Sequence, residues 1–544
     1  MPTFSHIAKM GLFFLAMLLF VMPVPASAGT QGGYLVAYFR SDPSQTGEKI
    51  QKLHYGYSRD GVKWYELNKN APVFTPKYAL RDPFLNKGPD GIWRLVYTSP
   101  DVDATGKNTS TYYMGYAEST DLIHWTNEKR LDLMANYRPA NTVYNVWAPE
   151  WMYNDETGKY IIYWSSTLNA TGPTNNYHYK ATTTDWNTFS DASLLFDPGV
   201  SSIDASMLRV DKNAEDDYYM FFKDESLSPM KMRQTWANEP VNKVEYDANI
   251  SSNTITPDYT EAPEAFKLIG QNKWNLIYDY WSQGKYGLKS TVNVEDPTAW
   301  SAEISDARFP YKMRHASVAT LTNAELWHVV NQFGVDAHYN LNSSANDVSG
   351  NGHNGTLNGS PAFTGTGGPE GGYINMDGVD DGIQLAVSGS TGFMHDAFAT
   401  RSVSLWFKAN QTVSEQVLFD EGGVTAGMSM KLQNNMLYAG AASGASKVQI
   451  NTAFTDTASW HHAVVVFNEG KLLLYLDGAL AASAATPYTS IDAHIDLAGL
   501  GKRYGQDAFG GTNGGAYFDG RIDQVNIYTV PLFPEDVQDL HDTP

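Results

Sequence analysis

The sequence predicts an all-β protein: a five-bladed β-propeller followed by a β-sandwich of the jelly-roll type. Three observations lead to this prediction. Short apolar strands alternate with Gly, Asn and Asp turns along the chain, a strand pattern recurs at regular spacing, and a second strand-rich region starts near residue 335. We therefore expect a signal peptide at 1–28, a propeller at 29–334 and a β-sandwich at 335–544.

The N-terminus has the pattern of a secretory signal peptide. Lys9 supplies a positive charge, residues 11–22 form an apolar run, and the sequence "ASA" at 26–28 is an A-x-A cleavage site. The apolar run is shorter than a membrane-spanning helix requires. We expect a secreted or periplasmic protein, cleaved before Gly29 and without a membrane partner.

The amino-acid composition limits the partners and the site chemistry that this protein can have. The formal net charge of -21 would repel nucleic acids and anionic membranes, so neither is expected as a partner. The chain has no cysteine, which excludes disulfides, a thiol nucleophile and thiolate metal sites and is more typical of a bacterial than an animal secreted protein. The 33 tyrosines and 14 tryptophans mildly favour a surface that stacks on sugar rings. We expect a monomer that binds carbohydrate.

The propeller prediction rests on a repeated strand–turn–strand unit. Its first strands begin near Asp82, Trp147, Asp204 and Glu261, at spacings of 65, 57 and 57 residues. A repeat of that length made of about four strands is typical of a propeller blade. We take these four residues as corresponding positions of four blades.

The fifth blade is expected to be split between the two ends of the propeller. The segment "RHASVATLTNAELWHVVNQF" at 314–333 supplies one part, and residues 32–67 supply the rest. Pairing the two ends in one sheet would close the ring and leave no exposed edge.

Three of the predicted blade starts carry an acid. They are Asp82 in "LRDPF", Asp204 in "SIDAS" and Glu261 in "TEAPE". First strands line the central channel of a propeller, so these carboxylates should meet at one mouth. Glycoside hydrolysis needs such a set: one carboxylate activates water, one carboxylic acid protonates the leaving oxygen, and a third tunes the acid. The alternative is that each acid caps a turn, and Asp42 in "FRSDPSQ" is a second candidate for the base.

Strand alternation separates the two glutamates of "TEAPE". It places Glu261 on the channel side and Glu264 on the other. The negative charge of Asp204 and partial burial against aromatic residues are expected to favour the protonated form of Glu261.

Other residues near the blade starts are candidates for substrate binding. Trp147 is the best candidate for a stacking platform, although blade packing explains it equally well. Glu150 could form hydrogen bonds with sugar hydroxyls from the pocket floor or point into a blade interface. Arg81 and Arg314 could bind substrate hydroxyls or neutralise negative charge. The full set is Trp147, Glu150, Tyr280, Trp281, Arg81 and Arg314.

Residues 33–334 resemble glycoside hydrolase family 43, whose members are five-bladed propellers that cleave with inversion. The "RDP" of Asp82 is similar to the motif of the general base, "IDAS" with Asp204 to that of the acid's pKa modulator, and "EAP" with Glu261 to that of the general acid. The "RHAS" of His315 resembles the final-blade histidine, which in several members contacts calcium through water. The resemblance implies action on arabinan, arabinoxylan, xylan or galactan.

The C-terminal region resembles laminin-G-like or concanavalin-like modules in "SWHHAVVVF", "LLLYLDGAL" and "GRIDQVNIY". Asp347 and Asp523 lie in segments that adjoin a calcium site in similar domains. The chemistry requires no cofactor, and oxygen-rich turns make calcium the one ion that the sequence favours. Whether the module binds sugar or supports the propeller stays open.

Together these features predict a secreted, inverting glycosidase acting on plant or algal polysaccharide. An exo-acting α-L-arabinofuranosidase is the first choice, ahead of β-xylosidase or galactanase activity. One alternative is a non-catalytic carbohydrate-binding surface protein. Another is a retaining fructosidase-type enzyme, although that family's glutamate–cysteine acid motif is missing from this chain.

Overall fold

The computed structural model describes residues 31–40, 51–103, 108–140, 143, 145–168, 175–212, 215–387, 389 and 391–544. The predicted signal peptide at 1–28 and Asp42 lie outside these residues. The described chain is nearly all β, which confirms the predicted class. None of its helices is both long and apolar enough to cross a membrane.

The N-terminal region is built from eighteen strands. They are β1 (Gln31–Arg40), β2 (His54–Ser58), β3 (Tyr65–Glu66), β4 (Arg81–Lys87), β5 (Trp93–Val102), β6 (Asn108–Ser119), β7 (Thr126–Leu131), β8 (Trp147–Asn154), β9 (Lys159–Thr167), β10 (Asn176–Thr183), β11 (Ser193–Phe196), β12 (Ser202–Lys212), β13 (Glu215–Asp224), β14 (Lys231–Ala237), β15 (Glu261–Lys267), β16 (Trp274–Tyr280), β17 (Lys285–Thr291) and β18 (Met313–Thr322). Among the described residues, a short helix, α1 (Lys243–Ala248), and two 3-10 helices, Asn68–Asn70 and Ala135–Ala140, lie between them.

These strands form five antiparallel sheets arranged as a closed ring. Four sheets are consecutive in the chain: β4 to β7, β8 to β11, β12 to β14, and β15 to β17. The fifth has the order β18-β1-β2-β3, so the two ends of the propeller pair in one blade, as predicted. The inner strands contact one another in the cycle β4, β8, β12, β15, β18 and back to β4. The five-bladed propeller is thereby confirmed.

Every inner strand carries the same backbone irregularity near its start. One residue in each has a positive φ: Asp82 (48°), Ala148 (46°), Asp204 (58°), Ala262 (53°) and His315 (37°). The pairing with the neighbouring strand shifts register at each of these points. Non-glycine residues rarely adopt this conformation, and bulges of this kind redirect side chains.

The bulges correct the predicted alignment of the blades. The residue that follows Glu261, Ala262, corresponds to Asp82 and Asp204, while Glu261 itself corresponds to Trp147. The sequence spacing was therefore wrong by one residue for two blades. Simple alternation also fails at this position, because the bulge interrupts the strand between Glu261 and Glu264.

The end of the propeller contains a helix that the sequence analysis treated as strand. Helix α2 (Asn323–Phe333) follows β18 directly. Thr322 and Glu325 form a capping box, and Leu326, Val329 and Val330 are buried at helical spacing. The Thr-x-x-Glu pattern followed by this spacing was the signal available in the sequence.

The C-terminal region forms two sheets and a final helix, α3 (Pro534–Asp542). Its strands are β19 (Val335–Tyr339), β20 (Thr356–Asn358), β21 (Ala362–Gly368), β22 (Gly371–Asp377), β23 (Gly382–Ala386), β24 (Thr400–Ala409), β25 (Gln416–Asp420), β26 (Ala426–Gln433), β27 (Met436–Ser443), β28 (Ser446–Ala453), β29 (His461–Asn468), β30 (Lys471–Leu476), β31 (Ala479–Ala485), β32 (Ala498–Leu500) and β33 (Asp519–Tyr528). One sheet has the order β21-β22-β33-β24-β29-β30-β31, with β19 also paired to β33, and the other has β20-β23-β32-β25-β26-β27-β28. The apolar faces of both sheets share one core, as in a β-sandwich.

The two regions are joined by an apolar interface. Side chains of the closing blade, of the neighbouring strands β4 and β5, and of α2 pack with residues from β29, β30, β33 and α3 in a single buried cluster. At its edge Arg59 forms a buried ion pair with Asp536, and the Tyr57 hydroxyl donates to the Pro531 carbonyl. The sandwich is thus packed against the blade that closes the ring.

Candidate active site

A cavity of about 330 Å³ opens at the bulged ends of the inner strands. The three predicted catalytic acids contribute to the same wall. The lining residues are Arg81, Asp82, Thr98, Asn108, Thr111, Trp147, Ile203, Asp204, Glu261 and His315. All five inner strands therefore supply residues to one site, although Asp82 and Asp204 occupy a different bulge position from Glu261.

Glu261 is held between two cations. Its Oε2 lies 3.0 Å from Nζ of Lys223, and its Oε1 lies 2.8 Å from Nη2 of Arg314. Arg314 also pairs through Nε with the buried carboxylate of Asp279. The sequence analysis considered Asp204 and apolar burial as the neighbours of Glu261, and it missed Lys223 altogether.

Asp204 lies in a different environment although it borders the same cavity. Only 7% of its surface is exposed, and its Oδ2 accepts a hydrogen bond of 3.2 Å from the backbone N–H of Ala262. Burial raises the pKa of Asp204 to about 6; the charges of Glu261 and Asp82 add to the rise, and His315 and Lys223 oppose it. Burial therefore favours the protonated form of Asp204.

Asp82 lies beside His315 in the cavity lining. Their Oδ1 and Nδ1 atoms are 3.4 Å apart, and both side chains are largely but not fully buried. The carboxylate consequently keeps contact with the cavity, where a water molecule or a substrate atom has access to it.

The candidates for substrate binding fall into two groups. Trp147 lines the cavity, and its Nε1–H donates to Oγ1 of Thr111 at 2.8 Å, which fixes the indole ring. The guanidinium of Arg81 lies on the cavity wall, 5.0 Å from the ring centre of Phe39. Arg314 reaches the site through its ion pair with Glu261.

Three other candidates do not line this cavity. The Glu150 carboxylate is buried and accepts a hydrogen bond of 2.6 Å from the Tyr163 hydroxyl. Tyr280 is buried, and its hydroxyl donates to Glu303. Trp281 is 42% exposed in the turn after β16. The bulges and turns that direct these side chains are not visible in strand periodicity.

Two further acids, Glu150 and Glu264, lie on inner strands, each three residues after a residue that lines the cavity. Glu264 accepts hydrogen bonds from the Ser206 hydroxyl and the Val318 amide, both at 2.9 Å, and burial raises its pKa to about 7. Burial, followed by the charge of Glu264, raises the pKa of Glu150 well above its ordinary value. This layer forms a buried polar floor beneath the cavity.

The three predicted metal ligands lie in separate places. His315 is in the propeller cavity, and the oxygens of Asp347 already accept backbone N–H groups of His338, Ser349 and His353. Asp523 fits a cation better, because its buried oxygens accept no hydrogen bond of ordinary geometry from the described residues, and burial raises its pKa to about 7. A further oxygen cluster among the described residues is formed by Asp377, Asp380 and Asp381.

Two family models match the chain. The model described as "Probable glycosyl hydrolase domain", related to glycoside hydrolase family 43, covers residues 30–326, more than half of the sequence. The chain belongs to the family 43-related glycoside hydrolases. The second model, of the concanavalin A-like lectin/glucanase superfamily, matches residues 377–538 of this hydrolase.

Solved structures resemble parts of the hydrolase. Domain 4 of AbnA, an extracellular arabinanase of Geobacillus stearothermophilus, is 24% identical over 38% of this chain and 98% of that one, with a TM-score of 0.30. An exo-β-1,3-galactanase of Phanerochaete chrysosporium is 12% identical over 82% and 95%, with a TM-score of 0.34. An α-L-arabinofuranosidase of Lactobacillus brevis is 15% identical over 44% and 78%, with a TM-score of 0.34. At these values the likeness says nothing about the substrate of the hydrolase. No curated protein matches the chain.

Proposed function

We propose that this glycoside hydrolase removes terminal sugar residues from plant or algal polysaccharide with inversion at the anomeric carbon. The observation that carries the proposal is the single cavity shared by Asp82, Asp204 and Glu261. Its volume of about 330 Å³ is near the lower end of ligand pockets. That size favours binding the end of a chain over binding a long internal segment.

In the proposed reaction Asp82 is the general base and Glu261 the general acid. Asp82 takes a proton from a water molecule as the water oxygen bonds to the anomeric carbon. The bond from that carbon to the leaving oxygen breaks, and this oxygen takes the proton of Glu261. Asp204 lies beside Glu261 through the amide of Ala262, and we assign it the role of modulating and orienting the acid.

An α-L-arabinofuranoside is the substrate that we propose first, with β-xylosides and β-galactosides next. Aryl glycosides of the three sugars test this order, and proton NMR of the first product anomer distinguishes inversion from retention. A retained configuration would support the fructosidase-type alternative. Binding of polysaccharide without any hydrolysis would support the non-catalytic alternative.

The role of Glu261 predicts a dependence on the leaving group. In Glu261→Gln the residue cannot donate a proton, so kcat/KM on natural glycosides should fall by about 10²–10⁴-fold. Aryl glycosides with acidic leaving groups need less protonation and should lose much less. The Glu303→Gln variant, which alters a carboxylate outside the cavity, serves as the control. Equal losses on both substrate types would contradict the role.

A further inference from the structure

Lys223 is the charged residue nearest Glu261 that the sequence analysis did not find. It lies on β13, the second strand of its blade, and only 5% of its surface is exposed. Its Nζ donates to Oε2 of Glu261 at 3.0 Å. We propose that Lys223 is a positioning residue that fixes the orientation of Glu261 and sets its strength as an acid. This inference rests on the proposed role of Glu261 as proton donor.

The geometry leaves Glu261 little rotational freedom. Arg314 holds Oε1 from β18, and Lys223 holds Oε2 from β13. Arg314 forms ion pairs with both Glu261 and Asp279. Among the described residues, Lys223 donates a hydrogen bond only to Glu261. Several charged or titratable groups surround Glu261, and among the described residues they are Asp82 of β4, Asp204 of β12, Lys223 of β13, Asp279 of β16, Tyr286 of β17, and Arg314 and His315 of β18.

Lys223 remains a cation in this environment. Burial alone would lower its pKa, but the charges of Glu261 and Asp204 outweigh burial and raise it. An ammonium group next to Glu261 stabilises the carboxylate that forms when Glu261 gives its proton to the leaving oxygen.

The consequence is a measurable effect on the pH profile. In Lys223→Met the carboxylate of Glu261 loses one of its two cations, so the alkaline limb of kcat/KM should move to higher pH by at least about 1 unit. Lys223→Arg keeps the charge and should keep the limb near its original position. Lys231→Met removes a surface lysine paired with Asp258 and is the matched control. An alkaline limb that is unchanged in Lys223→Met would overturn the proposal.

A second measurement separates this inference from the proposed function. If the unmodified protein hydrolyses no glycoside, the proposed function fails. The effect of Lys223 on Glu261 is then measured by carbon-13 NMR. The titration midpoint of the Glu261 side-chain carboxyl, assigned with Glu261→Gln, should rise in Lys223→Met and stay in place in Lys223→Arg. An unmoved midpoint would overturn the inference. Lys223→Gln replaces Lys223→Met if the latter does not fold.

Discussion

At the scale of single residues, the cavity contains acids with opposite surroundings. Two cations contact Glu261, whereas the polar contact of Asp204 is with a backbone amide. The sequence motifs indicated which acids belong to the site. They could not indicate the cations, because Lys223 and Glu261 come from different blades and no local pattern joins them. Long-range pairs of this kind depend on how the sheets pack.

The raised pKa of Asp204 predicts a stability cost at neutral pH. Its folded value of about 6 lies above the unfolded value of about 3.9, so stability falls as pH rises between these values, and the full cost is present above them. Asp204→Asn should raise the free energy of unfolding by about 2–3 kcal/mol at pH 7.5 and by much less at pH 4. Denaturant titrations at the two pH values measure the difference. A variant less stable than the original at pH 7.5 would contradict the prediction.

At the scale of elements, the bulge repeated in all five inner strands builds the site. Because of the bulge, two consecutive residues of a strand can both contribute to the site. Glu261 places its carboxylate in the cavity lining, and the N–H of Ala262 donates a hydrogen bond to Asp204. Strand order and blade closure could be predicted from strand length and turn residues. The bulge position could not, since glycine, the strongest signal for positive φ, is absent from all five positions. Aspartate and histidine are enriched at positive φ, but alanine, which occupies two of the five positions, is not.

The conformation of Ala262 predicts a selective response to substitution. With φ at 53° and only 1% exposure, a β-branched residue there would be strained and crowded. Ala262→Val should lower the free energy of unfolding by more than about 2 kcal/mol and disturb Glu261, so activity should also fall. Ala262→Gly accepts positive φ and should stay within about 1 kcal/mol of the original. Equal losses in the two variants, measured by denaturant unfolding, would show that packing rather than backbone conformation dominates.

At the scale of the whole molecule, the sandwich and the propeller share a buried cluster and the ion pair between Arg59 and Asp536. The sequence predicted both regions but left open whether the second binds sugar or supports the first. The interface could not be predicted, because its apolar residues have the same sequence pattern as residues buried inside a single domain. Its burial indicates that the sandwich supports the closing blade.

The buried ion pair predicts that the two regions unfold together. Asp536→Ala leaves Arg59 buried without its partner and should cost about 3–5 kcal/mol. Calorimetry should show one transition in the original protein and a lower midpoint for the whole molecule in the variant. The double variant Arg59→Met/Asp536→Leu should recover much of the loss. A lower midpoint confined to the sandwich transition would contradict the predicted coupling.

The pairing of β1 with β18 has a consequence for how the chain reaches its folded state. Strand β1 is synthesised well before β18, with most of the propeller between them in the chain, so the edge of β1 that pairs with β18 stays open during synthesis. Until β18 is made the propeller cannot close, and the cavity that the three acids line is not yet formed. Hydrolytic competence would therefore arise late and all at once, after the last blade has emerged.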